Sequence, residues 1–529
     1  MIISIFNDVI GPVMRGPSSS HCAAALRIGR LARDLMNGDI DEVHVQFDRG
    51  GALATTHDTQ GSDMGLFGGL LGWDAADARL PDSAQSIRDA KIVVNIELID
   101  CGDPHPSTYR LRLRNAHQSH TLRAISTGGG MVKVIDIDGF AVSIDGDYFE
   151  TLVHCQGDAQ TFAQEVLQTS HAVQVHVLPS ADGDLVQIKS QERIDDATFS
   201  RWHGKASVQS VQRLAPVLPV KSRKDCVVPF TCGDEMLRYY DGQLPPLWKA
   251  AVDYECARGG LSERDVLSRM EELVQILRTS IQQGIEGTQY QDRILGHQCG
   301  QFKSQMEAGR LLPGGGLNRI VLYVSALMEV KSSMGVIIAA PTAGACAALP
   351  GACVAMADEM DLSDQVIAKG LLAAGLIGAF IATRSTFAAE VAGCQAECGA
   401  AACMAAAGLV TMADGLPKHA VAAASMALQS SLGLICDPVG NRVEVPCLGK
   451  NVLAATNALS CANMAMSDYD PVITLDEVIE TADRVGRSLP RELRCTALGG
   501  LAATKTSREI EKKLATLKAG SCGSSCGCG

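Results

Sequence analysis

The sequence predicts a multidomain protein in three folded parts: an α+β N-terminal domain, a small βαββ module and a large all-α C-terminal domain. Three observations predict this. The length of 529 residues exceeds what a single hydrophobic core organises. Period-two alternation is confined to the first two parts, and helical periodicity takes over from about residue 245. Aromatic residues make up only 4% while Ala and Gly accumulate after residue 335, as in helices packed closely through small side chains.

In residues 1–146 the run Glu42–Phe47 alternates as a strand, and Lys91–Leu98 is another. Glycines at Gly50-Gly51, Gly68-Gly69 and Gly128-Gly129-Gly130 punctuate this domain. Residues 147–200 give a strand (Tyr148–Cys155), a helix (Ala159–Gln168) and two strands (Val173–Leu178 and Asp184–Lys189). This βαββ order resembles part of an ACT-type regulatory domain. The Gly-containing ligand turn that the resemblance implies is replaced by Gln156-Gly157-Asp158-Ala159-Gln160, so scaffolding or dimerisation is expected ahead of sensing.

Residues 201–244, with Pro216, Pro219 and Pro229, read as a linker. Residues 245–518 are helical almost throughout, as in Ser262–Gly284, Ser363–Ala382 and Leu475–Ser488, with breaks at Pro350, Pro417 and Pro438. Residues 519–529 read as a flexible tail of Cys, Gly and Ser.

The formal net charge of -13 argues against nucleic acid or an anionic membrane surface as the main partner. Asp8 interrupts the apolar start and no basic segment precedes it, so no secretory signal is expected. Gly335–Ala357 is long enough to span a bilayer, but Pro341, Pro350 and its glycines favour a buried loop and helix. A cytoplasmic location is expected. There the 19 cysteines stay reduced, so most are small buried residues and some are candidate metal ligands.

Three motifs carry chemistry. In Gly16-Pro17-Ser18-Ser19-Ser20-His21, three hydroxyls and an imidazole meet a helix N-terminus, whose unpaired N–H groups suit a carboxylate. An ordinary serine cap reads the same residues equally well. Cys394 lies in Gly393-Cys394-Gln395-Ala396-Glu397, Cys436 precedes Asp437-Pro438, and Cys447 follows Pro446. By spacing alone each is more readily a core residue than a ligand. The turn Pro341-Thr342-Ala343-Gly344 either presents N–H groups to a pocket or joins two helices.

Together these motifs resemble the iron–sulfur-dependent L-serine dehydratase family, as a fusion of its β and α parts over nearly the whole chain. The matching residues include Ile10-Gly11-Pro12-Val13-Met14, Gly16–His21, Gly61-Ser62-Asp63, Ser333-Met334-Gly335, Pro341–Gly344, Gly393–Glu397, Val443–Cys447 and Ala497–Thr504. The resemblance implies that Cys394, Cys436 and Cys447 hold a [4Fe–4S] cluster, with one iron open to substrate. It implies deamination of L-serine to pyruvate and ammonia without pyridoxal phosphate, as in amino-acid degradation feeding gluconeogenesis. Ser18, Ser19, Ser20, His21, Asp63 and Thr342 would bind the small amino-acid substrate, with Ser20, His21 and His57 as catalytic candidates. A homodimer is expected. Cys522, Cys526 or Cys528 in the tail is a candidate fourth cluster ligand.

The sequence departs from the family at three places. His-Gly-Thr-Asp becomes Gln60-Gly61-Ser62-Asp63, so an imidazole is missing and His57 is the candidate replacement. Lys331 and Arg384 stand where the family has neutral amides. Two added cations either bind a more acidic substrate or pair with Glu329 and Glu390. Threonine, cysteine or an acidic analogue is the alternative substrate. From another class, a redox centre on Cys394, Cys398 and Cys403 is the rival reading.

Overall fold

The computed structural model describes residues 2–16, 19–58, 61–181 and 183–522, with the side chains of 19, 20 and 517–522 outside the description. The chain divides into two units, Met1–Pro17 with Val227–Gly529, and Ser18–Cys226. The first strand, β1 (Val13–Arg15), belongs to the former and is taken with it below.

In the Ser18–Cys226 unit, α1 (Ser19–Leu35) is followed by β2 (Glu42–Asp48), whose strict alternation buries Val43, Val45 and Phe47. After a single helical turn at Leu53–Thr56, α2 (Ser62–Leu70) packs on α1. Glycines permit this close approach: a Cβ on Gly65 would lie 2.2 Å from the Cys22 carbonyl oxygen, and one on Gly69 2.1 Å from that of Leu26. Gly68-Gly69 therefore lies inside a helix, where the sequence suggested a break between elements. Strands β3 (Val93–Ile99), β4 (Thr108–Arg114), β5 (Ser119–Gly128) and β6 (Met131–Ile137) complete a sheet of order β3-β2-β4-β5-β6, parallel only at β2–β3.

The same unit holds a second sheet. It runs β7 (Phe149–Cys155), α3 (Ala159–Thr169), β8 (Ala172–Leu178), β9 (Asp184–Ser190), α4 (Asp196–His203) and β10 (Val208–Leu214). The order β10-β7-β9-β8, antiparallel throughout, is the ferredoxin-like split βαβ arrangement. The predicted βαββ is thus extended by a helix and a strand. Residues read as linker contain β10, and Trp202 on α4 is fully buried with its ring 5.6 Å from Phe162.

The other unit is helical apart from a two-stranded pairing. Its helices include α5 (Glu263–Glu286), α6 (Cys299–Glu307) and α7 (Gly316–Ser332). Then β11 (Val336–Ile338) pairs antiparallel with β1. The pairing is backed by Glu255, fully buried, which accepts from the Ser4 hydroxyl at 2.6 Å and the Ile5 N–H at 2.9 Å. After β11 come α8 (Ala348–Glu359), α9 (Asp364–Arg384), α10 (Cys398–Met412), α11 (Cys447–Met466) and α12 (Leu475–Ser488). Helix α9 is long and apolar enough to cross a membrane by count, yet most of it is buried inside the unit. Helix α10, almost wholly Ala, Gly, Cys and Met, is buried all round. The last helix, Lys505–Cys522, runs past residue 518, where the tail was expected to begin.

Candidate metal centre

Three separate segments of the helical unit supply the cysteines. Gly393, with φ +71° and Leu434 backbone against it, turns the chain so that Cys394 opens a single 3₁₀ turn. Gln395 fixes that turn, donating to the Ala482 carbonyl at 2.9 Å and accepting from the Gly433 N–H at 2.8 Å. Cys436 is held through its backbone: its N–H donates to Leu493 and its carbonyl accepts from Cys495, both at 2.9 Å. Cys447 begins α11 directly after Pro446. All three are buried.

Polar side chains tie these segments together. Asn451, fully buried one turn into α11, donates to the carbonyls of Gly344 (2.8 Å) and Cys447 (2.9 Å). Its oxygen accepts from the N–H groups of Ala347 and Ala348, at 3.2 and 3.0 Å, where α8 starts. Thr342 donates its hydroxyl to Glu397 at 2.6 Å, and burial pushes that carboxyl up to about 6. Asp437 accepts from Lys450 at 2.6 Å and from the Leu501 N–H at 2.9 Å. Gly500 leaves room for it, since a Cβ there would lie 2.6 Å from Asp437. That contact accounts for Gly500 within the Ala497–Thr504 motif.

The thiols feel one another. A hydrogen bond with Cys394, then burial, holds Cys398 well above the ordinary thiol range. Cys436 is raised by its hydrogen bond with Cys495, then by burial and by the charges of Glu397 and Cys394. Burial takes Cys447 up to about 12, while Lys331 pulls the other way. Buried thiols drawn from separate segments are a donor set that a cation would deprotonate and hold as thiolates. Cys436 and Cys447 both register the charge of Cys394, which ties the three buried thiols into one donor set. The residues present fit the group.

Of the rival redox set, Cys398 is hydrogen-bonded with Cys394, and the thiol pKa of Cys403, buried on α10, is raised by burial and by Cys461. Sequence reasoning missed Lys450, which donates to the carbonyl of Ile435 at 2.6 Å as well as to Asp437, and whose ammonium feels Cys394 and Cys447. It also missed Cys495, whose left-handed backbone (φ +59°) brings it to Cys436. Lys450 had a legible signal in its position three residues after Cys447; Cys495 had none.

Of the two added cations, Lys331 is buried and donates to the Val443 carbonyl, with its charge felt by Cys447, Glu397 and Glu444. Its predicted partner Glu329 is instead taken by His297 at 2.8 Å. Arg384 pairs with Glu480 at 2.9 Å and Asp476 at 3.9 Å on α12.

In the Ser18–Cys226 unit, His21 lies in the first turn of α1, and burial lowers its pKa. His57 donates or accepts through Nδ1 with Asp63 at 2.8 Å, and this bond raises its pKa. Ser18 and Gln60, the side chains of Ser19, Ser20 and Cys522, and all of Cys526 and Cys528 lie outside the described residues.

Residues 208–502 match the family model described as "Serine dehydratase alpha chain". The chain is 36% identical over 253 residues to the "Probable L-serine dehydratase, alpha chain" of Bacillus subtilis, covering 48% of this chain and 84% of that protein. It is 30% identical over 284 residues to the "L-serine dehydratase, alpha chain" of Peptoniphilus asaccharolyticus, covering 53% and 94%. The "L-serine dehydratase" of Helicobacter pylori matches at 38% over 191 residues, covering 36% and 42%. With a matched segment that contains all three cysteines and the turn at Thr342, the chain belongs to the serine dehydratase alpha chain family.

Proposed function

We propose that this protein is an iron–sulfur-dependent L-serine ammonia-lyase, converting L-serine to pyruvate and ammonia. The observation that supports the reading is that Cys394, Cys436 and Cys447, from three segments, are all buried and that Cys436 and Cys447 both feel the charge of Cys394. The names of the family relatives support the substrate. A [4Fe–4S] cluster bound there would supply Lewis acidity toward a β-hydroxyl. The chain's own residues do the rest. Asn451 and the Thr342–Glu397 bond fix the turn beside the cysteines, and Lys331 and Lys450 offset the negative charge that bound thiolates bring. His21, kept neutral by burial, suits a proton acceptor, whereas His57 paired with Asp63 suits a proton donor. Ser18, Ser19 and Ser20 are the proposed substrate-carboxylate binders.

We read the protein as a cytoplasmic homodimer, with the ferredoxin-like module as an ACT-like scaffold. Lys331, a buried ammonium among the cysteines, is the feature that favours a more acidic substrate as the second reading.

Purified protein with anaerobically reconstituted cluster is assayed for ketoacid and ammonia from L-serine, L-threonine, L-cysteine and acidic analogues. Ketoacid from L-serine is expected; an intact cluster with no ketoacid from any of them refutes the lyase reading. Cys394→Ala, Cys436→Ala and Cys447→Ala should each abolish iron retention, and Cys398→Ala should not.

A further inference from the structure

Other residues of the helical unit form a second set of soft and borderline donors. His297, Cys299 and Glu329 place Nδ1, Sγ and a carboxylate oxygen within 4.8 Å of one another. The separations are 2.8 Å from His297 Nδ1 to Glu329 Oε2, 3.1 Å from Cys299 Sγ to the same oxygen, and 3.7 Å from Sγ to Nδ1. A tetrahedral zinc ion with bonds of about 2.0–2.3 Å separates its ligand atoms by roughly 3.3–3.8 Å. The two shorter contacts are hydrogen bonds of a protonated set, and an opening of about half an ångström turns them into ligand spacings.

The surroundings hold the donors in place. Glu329 is buried, and its other oxygen accepts from the N–H groups of Gln298 and Cys299, at 2.8 and 2.9 Å, leaving Oε2 directed at the sulfur and the imidazole. Those bonds do what outer partners of a metal ligand do: they fix its orientation. Gly300 leaves space for the ring, since a Cβ there would lie 2.6 Å from His297 Nε2. Gly284 packs its Cα against the Ala326 backbone and presents its carbonyl to the Cys299 sulfur at 2.9 Å, joining α5 to α7 beside the set. The His297 side chain is 31% exposed, which gives an ion a route in and a water a fourth position.

We propose that His297, Cys299 and Glu329 form a binding site for one divalent ion of the zinc class, separate from the iron–sulfur cluster. Binding releases the Cys299 thiol proton to solvent and leaves the imidazole proton on Nε2, so that sulfur, Nδ1 and Oε2 all face the ion. No electron is transferred. The ion would staple the start of α6 to α7.

The test uses tag-free full-length protein incubated with one equivalent of zinc and desalted, with zinc, iron and acid-labile sulfide measured together. One zinc per chain is expected, with a zinc X-ray absorption spectrum showing one sulfur and otherwise nitrogen or oxygen neighbours. His297→Ala and Cys299→Ser should each weaken zinc binding roughly tenfold or more while iron and sulfide stay unchanged. Failure of the wild type to retain zinc overturns the proposal, as does zinc that both variants retain or that lacks a sulfur neighbour. Should Cys299→Ser fold poorly, the partly exposed His297→Ala decides.

Discussion

His57 and Asp63 set each other's state across 2.8 Å, and Asp63→Asn isolates that effect. The pair raises the His57 pKa, so its contribution to stability is present in full below the ordinary imidazole range and is lost as pH rises through the raised value. In Asp63→Asn the imidazole should titrate at lower pH by NMR, and that pH-dependent part of the melting temperature should vanish. At the cysteine centre, Thr342→Val leaves the buried Glu397 carboxyl without its hydroxyl donor. A loss of about 1–3 kcal/mol is expected in denaturant unfolding. The neighbours that singled out the cysteines in the sequence, Gln395 and Asp437, are the residues that fix the loops carrying two of them. Cys495 was not legible, because the Cys436 backbone contact that holds it joins segments far apart in sequence, which no periodicity encodes; Lys450 could have been read from its place in the first turn after Cys447.

Two elements depend on close contact more than on propensity. Gly65→Ala and Gly69→Ala each drive a Cβ into the backbone of α1, at 2.2 and 2.1 Å, so the helices must part. Each should lower stability by about 1–3 kcal/mol net, the clash outweighing the roughly 1 kcal/mol that Ala gains in helix propensity, measured as a fall in melting temperature. Asn451→Leu removes five hydrogen bonds at once, one of them to the Cys398 sulfur, and orphans the start of α8, and should cost at least as much while releasing iron. Long elements with clean periodicity were read closely from sequence: α5 and α9 extend the expected helices by a turn or less, and α12 matches its prediction. Strand β10 was missed because it sits at a sheet edge and lies close to Pro216 and Pro219, which mimic a linker. Gly68-Gly69 misled for the converse reason: a glycine pair that marks a turn in isolation here serves a helix contact.

Across the whole chain, Arg223 and Lys224 are exposed just before the boundary at Cys226. Limited trypsin digestion should cut there first, giving fragments of residues 1–223 or 1–224 and the remainder on a denaturing gel. The nicked protein should nonetheless migrate as one species in gel filtration, because β1 and Ile5 remain bound to β11 and Glu255. That pairing also orders events during synthesis. The ribosome makes β1 early, yet its partner β11 emerges more than 300 residues later, after the entire Ser18–Cys226 unit. The helical unit therefore closes last, on a strand that has waited unpaired through most of translation. Splitting the gene between the two units should leave the second polypeptide unable to complete its fold until the first supplies those leading residues in trans.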